Sequence, residues 1–237
     1  MGQSETSLGG LLALCLAAAI PIAAAQAESA VPFELSQKFV TEHKVKSLVG
    51  PSVQVDEQGQ VSLAWMEEEK DVRSVLYARS AEAGGPMGVP VRINRPEDVP
   101  YWRQEAPALV VQGEDVFVTW GLAHPKATPQ QPFATELRLS RSIDGGKTFQ
   151  PSVAVNDDPG VIQHTFDALH RDADGRLHLS WIDGREGKKE PGTYVARSLD
   201  RGATITRNLK VDEGTCVCCR TAVTSGPEGM VYVAWRK

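Results

Sequence analysis

The sequence predicts an all-β chain, a β-propeller of four-stranded antiparallel blades with about three complete blades and the start of a fourth. Two observations predict it. A segment ending in tryptophan recurs four times, as GQVSLAW (59–65), EDVFVTW (114–120), GRLHLSW (175–181) and GMVYVAW (229–235), with the tryptophans 55, 61 and 54 residues apart. Within each copy apolar residues alternate with others behind a glycine or acidic turn, which is the period of a strand with one buried face.

In chain order, residues 1–27 read as a secretory signal. The apolar run GGLLALCLAAAIPIAAAQA (9–27) is short for a membrane span and ends in the small-residue cleavage site Ala25-Gln26-Ala27. Its leader carries no Lys or Arg, and Cys15 belongs to its apolar run. Cleavage near Ala27 predicts a secreted or periplasmic protein of 210 residues, with a net charge of 25 minus 29, or −4, once Glu5 is removed. That mild acidity argues against nucleic-acid partners. No later segment is apolar enough to enter a membrane, and disulfides are permitted in such a compartment.

Residues 28–45 form a lead-in and 46–237 the propeller, with blades at about 46–97, 104–157, 163–212 and 216–237, the last incomplete. Each tryptophan strand follows a shorter strand: PSVQV (51–55), PALVV (107–111), DALHR (167–171) or TAVTS (221–225). A third strand ends in YARS (77–80), LSRS (139–142) or YVARS (194–198), and a fourth falls in VPVRIN, QPSVAV and TRNLKV. Such four-stranded repeats are the blades of a propeller.

After the third strand comes a second marker. SIDGGKTF supplies Ser142, Asp144, Gly146, Thr148 and Phe149, and SLDRGATI repeats it at Ser198, Asp200, Gly202 and Thr204 with Ile205 in place of the aromatic. SAEAGG (80–85) is a worn copy. The pattern resembles the Asp-box, or BNR repeat, of the sialidase (neuraminidase) superfamily, and the resemblance covers essentially the whole mature chain. Its role is structural: the carboxylate accepts backbone N–H groups across a tight turn and the glycines supply positive φ. The resemblance implies a six-bladed ring, so this chain is expected to be a fragment. It also implies a substrate clamp of three arginines, a Tyr nucleophile with a Glu partner and an Asp acid/base. The first arginine is expected near VPFELSQKFV (31–40), which has none.

Three cysteines, Cys216, Cys218 and Cys219, lie within GTCVCCRT. Counting back from each tryptophan places Leu48, Gln104, His164 and Cys218 at matching positions, so His164 is expected to stand level with Cys218 one blade away. Thiolates with a nearby imidazole would suit copper or zinc. A structural disulfide fits the spacing equally well, whereas Arg220 stands where a covalent haem needs histidine. Secreted bacterial sialidase-like proteins with a CxCC motif are a further likeness that assigns the motif no role.

The weak catalytic candidates are Asp183, Arg185 and Asp167. Polar residues that end strands commonly sit at a solvated rim, but His164, Glu67 and Arg236, with Trp102 and Arg103 in the loop between the first two blades, form the best candidate ligand face. The reading is a ligand-binding module for a glycan or other small ligand, with a metal site at Cys216, Cys218, Cys219 and His164 as one form of it. The alternatives are a glycoside hydrolase of exo-α-sialidase type and a protein-interaction scaffold.

Overall fold

The computed structural model describes residues 47–101, 106–187 and 190–237, and is all-β apart from a single 3₁₀ turn among them. Three four-stranded sheets follow one another along the chain. The first holds β1 (Ser47–Val55), β2 (Val61–Glu69), β3 (Val72–Arg79) and β4 (Val91–Arg92). The second holds β5 (Ala108–Gln112), β6 (Asp115–Ala123), β7 (Thr135–Ser142) and β8 (Val153–Ala154), and the third β9 (His164–Arg171), β10 (Leu177–Asp183), β11 (Gly192–Ser198) and β12 (Leu209–Asp212). A hairpin of β13 (Ala222–Ser225) and β14 (Val231–Ala234) completes the series. Every sheet is a meander of antiparallel neighbours in sequence order. The innermost strands β1, β5, β9 and β13 lie beside one another in turn, and the described blades do not close into a ring.

Alternation in the sequence becomes packing between blades. Ala64, Met66, Val75 and Tyr77 of the first sheet meet Leu109, Val116, Val118 and Trp120 of the second. Phe117, on the opposite face of β6, joins Leu137 and Leu139 against Leu177, Leu179, Trp181 and Tyr194 of the third. Strand β6 is therefore covered on both faces, and Asp115–Gly121 is buried throughout. Burial on this scale supplies the main favourable contribution, about 25 cal/mol for each Å² of apolar surface removed from water.

The two marked turns close in the same way. Ser142 Oγ donates to Asp144 Oδ1 (2.7 Å), and Asp144 accepts the Thr148 N–H (2.9 Å) and hydroxyl (2.6 Å). Ser198, Asp200 and Thr204 repeat these bonds at 2.8, 2.9 and 2.6 Å. Hydrogen bonds from Ser142 and Thr148 hold the Asp144 carboxyl down to about 2, and those from Thr204 and Ser198 do the same at Asp200.

Within the first turn, Gly146 lies at φ +86°, where a Cβ would fall 2.0 Å from the Tyr77 ring. Tyr77 is also met edge-on by Phe149 at 5.5 Å. The turn thus presses on the preceding blade through backbone that no side chain can interrupt. Gly146→Ala is expected to cost about 2–4 kcal/mol in urea unfolding, from overpacking added to a strained φ. Gly50→Ala, where a Cβ meets nothing within 4 Å, should change stability by less than about 0.5 kcal/mol.

Candidate functional site

At the end of β10 the chain builds a charged knot around one buried carboxylate. Residues two apart on a strand share a face, so Trp181 presents its indole N–H to Asp183 Oδ2 at 2.9 Å. The chain then turns at Gly184, and Arg185 folds back onto the same group. Its Nε donates to Oδ1 (3.0 Å), its Nη2 to Oδ2 (2.9 Å) and its backbone N–H to Oδ1 (3.0 Å). Nη1 reaches Asp157 Oδ1 at 2.8 Å, Nη2 reaches Asn208 Oδ1 at 3.1 Å, and the guanidinium covers the Tyr194 ring at 4.3 Å. Burial works against the Arg185 charge, but its bonds to Asp183 and Asp157 outweigh this and raise its pKa.

His164 opens β9 opposite Asp183 in the strand register. Its N–H donates to Thr135 Oγ1 (2.9 Å), and its ring Nδ1 lies 2.6 Å from the Thr135 carbonyl. A carbonyl only accepts, so Nδ1 carries the proton. Nε2 then faces Asp183 Oδ2 at 3.6 Å and Asp158 Oδ2 at 3.9 Å, fully buried and with no hydrogen-bond partner.

The three cysteines occupy a tight turn before β13. Cys216 N–H pairs with the Arg236 carbonyl (2.8 Å), Cys219 N–H returns to the Cys216 carbonyl (3.4 Å), and strand pairing resumes at Ala222. Arg220 pins the turn to its neighbours by donating to the carbonyls of Asp167 (3.0 Å) and Ala106 (2.8 Å). All three thiols are free, and their sulfurs converge: Cys216 to Cys218 and Cys216 to Cys219 at 3.3 Å, Cys218 to Cys219 at 4.0 Å. Arg236 Nη1 lies 3.7 Å from Cys219 Sγ. The Cys218 N–H, followed by the Cys219 and Cys218 thiols, lowers the Cys216 pKa to about 7. Cys218, bonded to its two neighbours, is pushed up to about 11.

The structure sorts the residues singled out from sequence into separate groups. Asp183, Arg185 and His164 come together. His164 does not join the thiols: its ring faces Asp158 and Asp183, with which it forms one potential ligand group while the cysteines form another. Cys216, rather than Cys218, faces the residue after the blade's tryptophan. Arg236 stands beside the thiols. Asp167 is buried and accepts the Thr119 hydroxyl, and Glu67 is buried and accepts the Trp65 indole N–H at 3.2 Å, so both are occupied within the blades. Trp102 and Arg103 lie outside the described residues.

Asp157, Asp158 and Asn208 were not singled out from sequence, although the acidic turn NDDPG (156–160) was a signal for two of them. Also unanticipated is a Tyr–Glu pair: Tyr194 Oη donates to Glu186 Oε1 at 2.5 Å. Burial and the Glu186 charge push the Tyr194 pKa upward, and its ring is held between Arg185 and Trp181.

No family model matches the chain. No curated protein matches it either. Solved structures do. An α-L-arabinanase of Penicillium chrysogenum complexed with arabinobiose is similar at 12% identity and a TM-score of 0.53, over 78% of this chain and 58% of that one. A Trypanosoma rangeli sialidase in complex with sialic acid is similar at 16% identity and a TM-score of 0.52, over 86% of this chain and 36% of that one. The chain thus spans little more than half of the first and about a third of the second. At these identities the likeness shows the fold alone, a β-propeller's blade architecture.

Arg185→Met is expected to lower stability by about 3 kcal/mol, because it strips the counter-charge from a carboxylate with no exposed surface. Adding Asp183→Asn should recover part of that loss, since the orphaned charge is then gone. Urea unfolding of the two single variants and the double variant checks both.

Proposed function

We propose that the chain is an exported, ligand-binding propeller whose cysteine turn holds one soft metal ion, copper(I) or zinc, on the thiolates of Cys216, Cys218 and Cys219. The observation that carries this reading is the convergence of three free sulfurs within 3.3–4.0 Å of one another on a turn tied down at both ends. Metal–sulfur bonds of about 2.3 Å around one shared ion need sulfur separations of this order. All-sulfur donors favour copper(I), and zinc would complete its shell with water.

The surroundings suit a thiolate site. Cys216 gives up its proton near neutrality, and Arg236 offsets part of the negative charge that the other two thiolates bring. Val217, between the cysteines, lines a cavity of about 310 Å³ walled by Pro132, Phe133, Ile162, Ile182 and Pro191. A small ligand, with a glycan as the class that the sugar-bound neighbours favour, would dock there beside the metal. A hydrolase of exo-α-sialidase type has less support, because Arg185 is engaged by its own carboxylates.

Purified under reducing conditions, the full chain is expected to retain about one equivalent of copper(I), and the C216S/C218S/C219S variant none. Affinity should fall as pH drops, protons competing for Cys218 already below about 11 and for the Cys216 thiolate as well below about 7. Metal-free protein with its cysteines in disulfides, or copper retained by the triple serine variant, would contradict the reading.

A further inference from the structure

We infer that Asp158, His164 and Asp183 form a second metal site, separate from the thiols and built for a divalent transition-metal ion that accepts nitrogen and oxygen donors. One candidate ligand atom from each residue lies within 4.8 Å of the other two. The decisive group is His164. Its Nδ1–H is committed to the Thr135 carbonyl at 2.6 Å, the outer bond that fixes a ligating imidazole in one tautomer and orientation. The Nε2 lone pair is therefore aimed at two carboxylate oxygens, from a side chain that is completely buried, with nothing bonded to it.

An acceptor facing two acceptors at 3.6 and 3.9 Å is unfavourable unless a positive charge sits among them. A proton on Nε2 would supply charge but would bond neither carboxylate, because both separations exceed hydrogen-bond length. A metal ion does both, since bonds of about 2.0–2.2 Å bring one nitrogen and two oxygens around a common centre. The charge count agrees. Asp157, Asp158 and Asp183 contribute three negative charges, and Arg185, which pairs with all three, contributes one positive. With His164 neutral the cluster stands at −2, which a divalent cation neutralises.

Arg185 and the metal compete for Asp183 Oδ2, which already accepts the Trp181 indole and Arg185 Nη2. The guanidinium yields at that atom while keeping Asp157 and Asn208. Imidazole among the ligands favours zinc and its neighbours over calcium or magnesium.

The test uses the full-length C216S/C218S/C219S variant, in which a thiol site cannot contribute, so its outcome is independent of the copper result. Dialysed against zinc, that protein should retain about one equivalent, and the metal should raise its melting temperature. Calcium or magnesium at the same concentration should do neither. Adding Asp158→Asn or His164→Gln should weaken zinc binding by at least about 100-fold and abolish the thermal shift, with circular dichroism confirming that the fold persists. Zinc-free triple serine variant, or zinc held as tightly after Asp158→Asn, would overturn the inference.

Discussion

Each blade's tryptophan carries an indole N–H that is met by an acceptor, and the residue that answers it shapes the end of that blade. In the first blade Trp65 donates to Glu67, in the second Trp120 donates to Ser140, and in the fourth Trp235 donates to Asp212. In the third the acceptor is Asp183, which has no exposed surface. A carboxylate this buried requires counter-charge, and Arg185 folds back to supply it. Once there, Arg185 gathers Asp157 and Asn208 from segments about 25 residues away on either side in sequence, and the surplus negative charge falls beside His164. A single buried hydrogen-bond requirement thereby organises the whole knot.

The cysteine turn depends on the same ladder by a different route. Pairing between the last two strands runs from Ala222 to Ser225, and the Cys216 N–H extends it to Arg236 beyond an excursion of chain. The cysteines sit in that excursion, where the backbone leaves the ladder and returns. Arg220 anchors it to two neighbouring blades. Three sulfurs are thus held together by strand pairing on both sides as well as by their own S–H···S contacts, the preorganisation a thiolate site needs.

The tryptophan repeat made the second strand of every blade legible, because buried strands alternate with period two whatever their neighbours do. The turn markers were legible for a similar reason: Ser, Asp, Gly and Thr each make a local bond or adopt a local φ. What counting along the chain missed were irregularities in the ladder. Phe166 lies at φ +55° beside a register shift in β9, and this turns Asp167 inward to Thr119. The cysteine turn consumes a different number of residues, so Cys218 is not level with His164. The Asp157–Arg185–Asn208 contacts join residues 23 to 51 positions apart, and no local pattern announces them.

The central claim, that three convergent thiolates hold a soft metal at the start of the fourth blade, is tested most directly by X-ray absorption on the copper(I)-loaded full chain. The account predicts a first shell of three sulfurs at roughly 2.3 Å and no nitrogen or oxygen at bonding distance. A shell of imidazole nitrogen and carboxylate oxygen, or of fewer than three sulfurs, would contradict it.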